Sequence, residues 1–386
     1  MDFQLSPDQR QLRETARAFA TCEMAAVARE LEDKDQPLSR DQVRRYGEMG
    51  FLGVNVAEEL GGLGLGNLDA LLVVEEFAKV SPAIAFPIFE SCVGPVRAVE
   101  HFAGADLARR VVPEVCKGNL VVAVAMTEPD AGSALTDLKT RGRAEGDSIV
   151  VDGQKRWCSG GGHADGYVVY CRLSDAPGAG GIGAVYVEKD REGVRFGARE
   201  RLMGFRGIPS ADIFFDSVAV PAGNLVVPAG GFKKLMAAFD LERCGNATMC
   251  LGVAQAAFDT ALAYVQERKQ FGKPLADFQA VQLKLADMAM RLEASRLLIW
   301  RAAVNAEQGL PSILDSSLAK CFANEMVREV AGAALQVMGA YGYSKEFAVE
   351  RMLRDGWGWG IAGGAIDIQK VNIASALVGR RFDQRR

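Results

Sequence analysis

Only two histidines, His101 and His163, stand in the 386 residues, and the eight cysteines never fall at a Cys-x-x-Cys spacing. Cys22, Cys92, Cys116, Cys158, Cys171, Cys244, Cys250 and Cys321 are scattered, so a zinc centre is excluded as an organising feature and no metal is expected. Buried free thiols in a reducing compartment is the reading that remains. Charge of one sign is also missing. Lys and Arg number 45 against 49 Asp and Glu, a formal net charge of -4, which gives no general attraction to nucleic acid or to an anionic membrane. The one basic run is the short tail Arg380-Arg381 and Arg385-Arg386. No apolar run reads as long enough to span a bilayer, and Asp2, Asp8 and Glu14 occupy the place of an apolar signal region. A cytoplasmic protein with no membrane contact is therefore expected. Internal repeats are absent too. What is present is ordinary globular composition, 49% apolar and 24% charged, on a chain long enough for two or three domains.

The most informative stretch runs from Gly230 to Arg243. Phe232, Leu235, Met236 and Phe239 recur at i, i+3, i+4 and i+7, the pattern of one buried helical face. The next position on that face is Glu242, after which it resumes through Asn246, Met249, Val253 and Phe258. An acid set inside an apolar stripe loses hydration, and its pKa rises towards the range where it accepts a proton at neutral pH. From this helix alone, a buried ion pair with an Arg elsewhere explains the residue equally well.

In chain order the character changes twice. Up to about Gly118 the pattern is helical: Ser6-Pro7-Asp8-Gln9 is a helix start, a second helix runs from about Ser39 to Gly50, and another carries Leu71, Val74, Phe77 and Ala78. From Asn119 to about Val227 the period shifts to two, with strands expected at 120–126, 148–151, 167–171, 184–187 and 213–220, and Asp152-Gly153 as a hairpin turn. After Pro228 the helical period returns. The fold class is therefore α+β, with a helical domain at 1–118, a β domain at 119–227 and a helical bundle at 228–386.

Four further stretches carry chemistry. Met126-Thr127-Glu128-Pro129-Asp130-Ala131-Gly132-Ser133 ends a strand in a small-residue turn with two hydroxyls. Trp157-Cys158-Ser159-Gly160-Gly161-Gly162 sets a flat ring beside an open backbone. The third is Glu267-Arg268-Lys269-Gln270-Phe271-Gly272, and the fourth is Gln336-Val337-Met338-Gly339-Ala340-Tyr341-Gly342. In this order and at these distances they resemble the acyl-CoA dehydrogenase family over essentially the whole chain. The resemblance implies a helical domain, a β-barrel-like middle domain and a four-helix bundle, with FAD held non-covalently. It makes Thr127, Ser133, Trp157 and Ser159 cofactor-binding, Trp157 at the flavin face and Ser159 at N5. It places Arg268, Phe271, Gln336 and Ala340 at the FAD of a neighbouring subunit, which implies a homotetramer or at least a dimer. Phe232, Asp240 and Arg243 match positions that contact coenzyme A, and Phe239 joins them on the substrate side.

The family's usual base is a Glu near the C-terminus, and Gly363 stands at that position in Ile361-Ala362-Gly363-Gly364. In the isovaleryl and long-chain branches the base comes instead from an Asp-Leu-Glu-Arg helix, here Asp240-Leu241-Glu242-Arg243. The resemblance thus makes Glu242 the base, with the Gly363 N–H polarising the thioester carbonyl. Asp367 is a local rival, expected to cap or pair within the bundle. Glu90 is a candidate acyl-pocket residue, weighed against a solvated or paired role, and Trp357 and Trp359 are candidates for the pocket or for plain packing. The expected activity is FAD-dependent α,β-dehydrogenation of an acyl-CoA, with a branched or cyclic acyl group and an electron-transferring flavoprotein as acceptor. The alternative is a non-oxidative lyase of the sulfinopropanoyl-CoA desulfinase kind, which shares the Ile-Ala-Gly-Gly and Gly-Gly-Gly runs. As that branch lacks a base at the Asp-Leu-Glu-Arg site and has an Arg near Phe86, Glu242 and Phe86 argue against it. A DNA-associated flavoprotein of the same fold would need a basic face that this chain does not have.

Overall fold

The computed structural model describes residues 3–306 and 309–382. Arg385 and Arg386 of the basic tail lie outside them. Seven helices come first: α1 (Pro7–Cys22), α2 (Ala25–Lys34), α3 (Arg40–Glu48), α4 (Asn67–Val80), α5 (Pro82–Cys92), α6 (Pro95–Phe102) and α7 (Ala105–Cys116). Ser6 and Gln9 close a capping box on α1, and Ser39 and Gln42 repeat it on α3. Each such cap is worth about 1 kcal/mol because it satisfies backbone N–H groups that the first turn leaves free. Phe19, Tyr46, Phe51 and Phe77 then pack edge to face, with centroids 5.1–5.8 Å apart in four of the pairings, and lock α1, α3 and α4 together.

The sheet follows: β1 (Val122–Ala125), β2 (Arg141–Glu145), β3 (Ser148–Ser159), β4 (Gly166–Arg172), β5 (Ile182–Glu188), β6 (Val194–Phe196), β7 (Ser210–Pro221) and β8 (Leu225–Val227). Its order is β6-β7-β3-β2-β4-β5-β8, with β1 paired in parallel to β4. Asp152-Gly153 is not the expected turn. The β2–β3 hairpin closes at Gly146-Asp147, and Asp152-Gly153 lies inside β3 at a bulge, where a Cβ on Gly153 would come 2.5 Å from the Thr140 hydroxyl.

The bundle comprises α8 (Phe232–Glu267), a two-strand hairpin of β9 (Lys269–Gln270) and β10 (Lys273–Pro274), then α9 (Gln279–Ala306), α10 (Ile313–Met338), α11 (Ala340–Tyr343), α12 (Val349–Trp359) and α13 (Ile366–Val378). The 36-residue α8 touches α4, α5, α9, α10 and α12, so it belongs to the cores of both helical regions. It corrects one expectation: α8 does contain an 18-residue window long and apolar enough to span a membrane, with mean hydropathy 1.2. Most of that window is buried inside the fold, which accounts for its apolarity without a lipid phase.

Candidate functional site

Glu242 sits where the three regions meet. The stripe around it is buried as expected, with Leu235, Met249 and Val253 nearly inaccessible, Phe232, Phe239 and Asn246 buried, and Met236 and Phe258 half-buried. Glu242 itself is only half-buried by accessible surface, unlike its neighbours Leu241 and Arg243, so it is not sealed in packed core. The expected rival role, an ion pair, is not taken up: among the described residues Glu242 has no ion pair or hydrogen bond, and Arg243 pairs with Asp240 instead. Burial pushes the Glu242 carboxyl up to about 8, against the opposing pull of the Arg243 and Lys320 cations. Two other groups feel its charge, Glu90 on α5 and the buried Tyr170 phenol on β4.

Gly363 faces the same place. A Cβ built on it would lie 3.4 Å from Lys320 Cε, 3.5 Å from Asn246 Nδ2 and 3.9 Å from the Phe239 ring, and Asn246 is one turn after Glu242 on α8. The Gly363-Gly364 turn has φ of 66° and 87°, a left-handed path that glycine follows without strain. Lys320, wholly buried on α10, holds that turn by donating to Asn324 Oδ1 at 2.8 Å, the Gly364 carbonyl at 3.0 Å and the Trp359 carbonyl at 3.4 Å. Burial lowers its ammonium to about 7. Asn324 in turn donates to Asn246 at 2.8 Å. Lys320, Asn246, Asn324 and Tyr170 escape motif reading because no local pattern marks them. Lysine at a buried position on a helix as apolar as α10 was the available signal for the first.

The two cofactor loops are joined through a buried ion pair. Lys155, fully buried, donates to Glu128 at 2.8 Å and to the Met126 carbonyl at 3.0 Å, while Glu128 also accepts from Thr140 N–H at 2.9 Å. Arg156 N–H donates to the Thr127 carbonyl at 2.8 Å, so Thr127 and Trp157 are brought side by side. Trp157 lies in a second β3 bulge with φ of 59° and is 51% exposed, its ring over the Arg156 guanidinium at 4.3 Å. A large ring held outward on a strained backbone is not explained by packing. With half-buried Thr127 and Ser159 and exposed Ser133 around it, the site fits a flat aromatic cofactor with an anionic tail.

The residues expected to act across subunits cluster at one end of the bundle. Phe271 and Gly272 form the tip of the β9–β10 hairpin with φ of 50° and 81°, a turn with both central residues left-handed, and Phe271 is 94% exposed. Arg268 lies over the Tyr341 ring at 5.9 Å, and Gln336 and Ala340 are exposed nearby on α10 and α11. Asp240 and Arg243 are less open than a coenzyme A contact suggests, since both are buried and paired, with Ser316 donating to Asp240 at 2.8 Å. Glu90 is neither solvated nor paired: it is 5% exposed, and its Oε2 has no hydrogen-bond partner. Asp367 is exposed in the first turn of α13, away from the cleft. Trp359 is buried against Phe89 and Phe205, whereas Trp357 is exposed beneath Arg328. No cluster of metal-binding side chains occurs among the described residues.

Such a fold, with a strained surface Trp suited to a flat ring and an unpartnered carboxyl on the long bundle helix, fits a flavoprotein enzyme. Profiles of the acyl-CoA dehydrogenase N-terminal, middle and C-terminal domains match residues 6–119, 123–218 and 229–378. The chain belongs to the acyl-CoA dehydrogenase family, and FAD is its cofactor. The chain is 37% identical to 3-sulfinopropanoyl-CoA desulfinase of Paraburkholderia xenovorans over 100% of its own length and 99% of that protein's. Its fold matches butyryl-CoA dehydrogenase from Megasphaera elsdenii at a TM-score of 0.94, with 31% identity over 98% of this chain and 100% of that one. An FAD complex of PigA matches at 0.93 and 26% identity, over 98% and 99% of the two chains.

Proposed function

We propose that the chain is an FAD-dependent acyl-CoA dehydrogenase in which Glu242 removes the proton alpha to the thioester carbonyl. The observation that carries this is a carboxyl on α8 with no ion pair or hydrogen bond among the described residues, one turn before the Asn246 that a Cβ on Gly363, the family's usual base position, would meet at 3.5 Å; burial pushes that carboxyl up to about 8. When bound, FAD supplies the hydride acceptor for the beta carbon. Thr127, Ser133, Trp157 and Ser159 would hold it. The Gly363 N–H, which has no acceptor among the described residues, is free to donate to the thioester oxygen as negative charge builds there. Lys320 fixes the turn that carries this N–H. Phe232 and Phe239 line the substrate side, with Asp240-Arg243 as the support beneath them. Exposed Arg268, Phe271, Gln336 and Ala340 complete the FAD site of a second copy in a homotetramer or dimer, and an electron-transferring flavoprotein takes the electrons. Eight free thiols, seven of them buried, suit work in the cytoplasm.

The likeness to a desulfinase favours a second reading, cleavage of a carbon–sulfur bond without net oxidation. A sulfinate brings a negative charge into a cleft whose nearby cations are already engaged, Arg243 by Asp240 and Lys320 by three oxygens. Anaerobic mixing with a panel of saturated acyl-CoA thioesters separates the two. Bleaching of the flavin at 1:1 stoichiometry supports dehydrogenation. Sulfite release from 3-sulfinopropanoyl-CoA with the flavin still oxidised would support the lyase and remove the first reading.

A further inference from the structure

Helix α5 carries Glu90 inward, one turn after Phe86 and Pro87. The carboxyl is 5% exposed, Oε2 has no hydrogen-bond partner, and no cation pairs with it among the described residues. A buried carboxyl is ordinarily accounted for by a neighbouring base or by backbone N–H groups, as Glu128 is. Here the wall is mostly apolar, the exception being the His163 imidazole, whose pKa burial lowers to about 4. Glu90 lines a cleft with Phe86, Leu38, Val121 and Ala123 that reaches Gly160, the residue next to Ser159 in the proposed flavin loop. Burial first, and the Glu242 carboxyl second, raise its pKa well above the ordinary value, which favours the protonated form with an O–H to donate.

We propose that Glu90 is a specificity-determining residue whose carboxylic acid donates a hydrogen bond to an uncharged oxygen, an oxo or hydroxyl group, on the distal part of the acyl chain. The inference rests on the acyl-CoA reading above and deepens it by naming a substrate class. A site built to hydrogen-bond a substrate atom rejects the analogue that lacks it, because the buried group is then left unsatisfied. It also rejects a distal carboxylate, which would meet two carboxyl groups while Arg243 and Lys320 are already engaged and His163 is uncharged. Phe86 and the apolar wall hold the carbon chain, and Glu90 reads the oxygen.

The test measures binding apart from turnover. FAD-loaded Glu242→Gln protein is titrated with two matched pairs, pentanoyl-CoA against 4-oxopentanoyl-CoA and hexanoyl-CoA against 5-oxohexanoyl-CoA, following the flavin absorbance and the heat of binding. Within at least one pair the oxo compound is expected to bind about tenfold tighter, the order of one well-made hydrogen bond. Adding Glu90→Leu should abolish that preference without weakening the unsubstituted partner, while Glu90→Gln, which keeps a donor, should retain most of it. Glutaryl-CoA should bind more weakly than either neutral compound. Flavin content and thermal midpoint confirm that both variants fold. Equal binding within both pairs, a preference that survives Glu90→Leu, or no binding of any thioester overturns the proposal. Bleaching of wild-type flavin by hexanoyl-CoA with no Glu90-dependent preference removes this proposal alone. An intact preference with no bleaching by any thioester removes the dehydrogenation reading alone.

Discussion

Glu128, between the loops of the β domain, accepts hydrogen bonds from Thr140 N–H at 2.9 Å and from Lys155 at 2.8 Å, whereas Glu242, on α8, accepts none. Burial would raise both carboxyls. At Glu128 the Lys155 ammonium and the surrounding donors outweigh it and hold the group below its ordinary value, while at Glu242 burial prevails and the group rises to about 8. The two acids therefore contribute to stability with opposite pH dependence. Glu128 has a depressed folded pKa, so its contribution is present above the unfolded value near 4.5 and is lost as the pH falls. Glu242 has a raised one, so it holds its proton longer than the unfolded chain does and costs stability as the pH climbs from about 4.5 to about 8. What decides the sign is partnership. A partnered carboxylate fixes a loop, and an unpartnered one stays available for a proton.

Breaking the reactive member should have the largest effect. Glu242→Gln keeps the shape of the side chain and removes its proton affinity, so turnover should fall about 10²–10⁴-fold, roughly 3–5 kcal/mol in barrier. The loss should appear in kcat, with KM for the thioester little changed and FAD content intact. Near-normal turnover would take the role from Glu242. The same variant should have a higher thermal midpoint than wild type at pH 8 and a similar one at pH 4.5, which scanning at the two pH values checks.

Breaking the structural member should act on the fold instead. Lys155→Met leaves the Glu128 carboxylate buried without its cation, a change that costs about 3–5 kcal/mol when a buried pair loses one partner. Flavin should be lost together with stability, because Glu128 and Lys155 join the Thr127 and Trp157 loops. Replacing both, Glu128→Gln with Lys155→Met, should recover much of the midpoint. A double variant as unstable as the single one would show that the pair is not the joint between these loops.

The sequence made Glu242 legible because helical periodicity puts every third or fourth residue on one face, and an acid there stands out. It left Glu128 and Lys155 unread, as they are 27 residues apart and meet only when β3 comes alongside the Thr127 turn. Asp152-Gly153 misled for a related reason: the dipeptide favours left-handed backbone, and a bulge uses that as readily as a turn. Lys320 was hidden by the same limit, and Glu90, a pocket candidate in the sequence, could not be told there from a solvated or paired acid. Neither lies in a local pattern, and what makes each unusual is the absence of a countercharge in three dimensions. Periodicity reports which face is buried, while partnership depends on contacts that no window of sequence contains.

A smaller effect tests how the unpartnered acid is tuned. The groups that bear on Glu242 are Glu90 from α5, Tyr170 from β4, its neighbour Arg243 and Lys320 from α10. A base works only when deprotonated, so kcat/KM should fall about tenfold per pH unit below about 8 and level off above it. Lys320, itself lowered to about 7, is still partly charged where the Glu242 limb begins, so Lys320→Met should move that limb slightly to higher pH. A profile that stays in place, or moves down, would show that Lys320 only supports the Gly363-Gly364 turn.

The smallest expected gain comes from returning an acid to Gly363. In the Glu242→Gln background, Gly363→Glu would place a carboxyl against Lys320, since a Cβ there lies 3.4 Å from Lys320 Cε. That cation would favour the charged form and supply the partner Glu242 lacks. Two costs limit the benefit. Gly363 has a φ of 66°, where a residue with a side chain is strained by about 1–2 kcal/mol, although a Cβ there would meet its neighbours only at ordinary contact distance. A carboxylate partnered by Lys320 is also a weaker base. Activity should therefore return by about tenfold over Glu242→Gln, well short of wild type, and the pH limb should drop below 8 because the new acid is held by a cation. A limb still near 8 would mean that the recovered activity belongs to another group, and no recovery at all would mean that the strained turn, not the missing carboxylate, now limits the reaction.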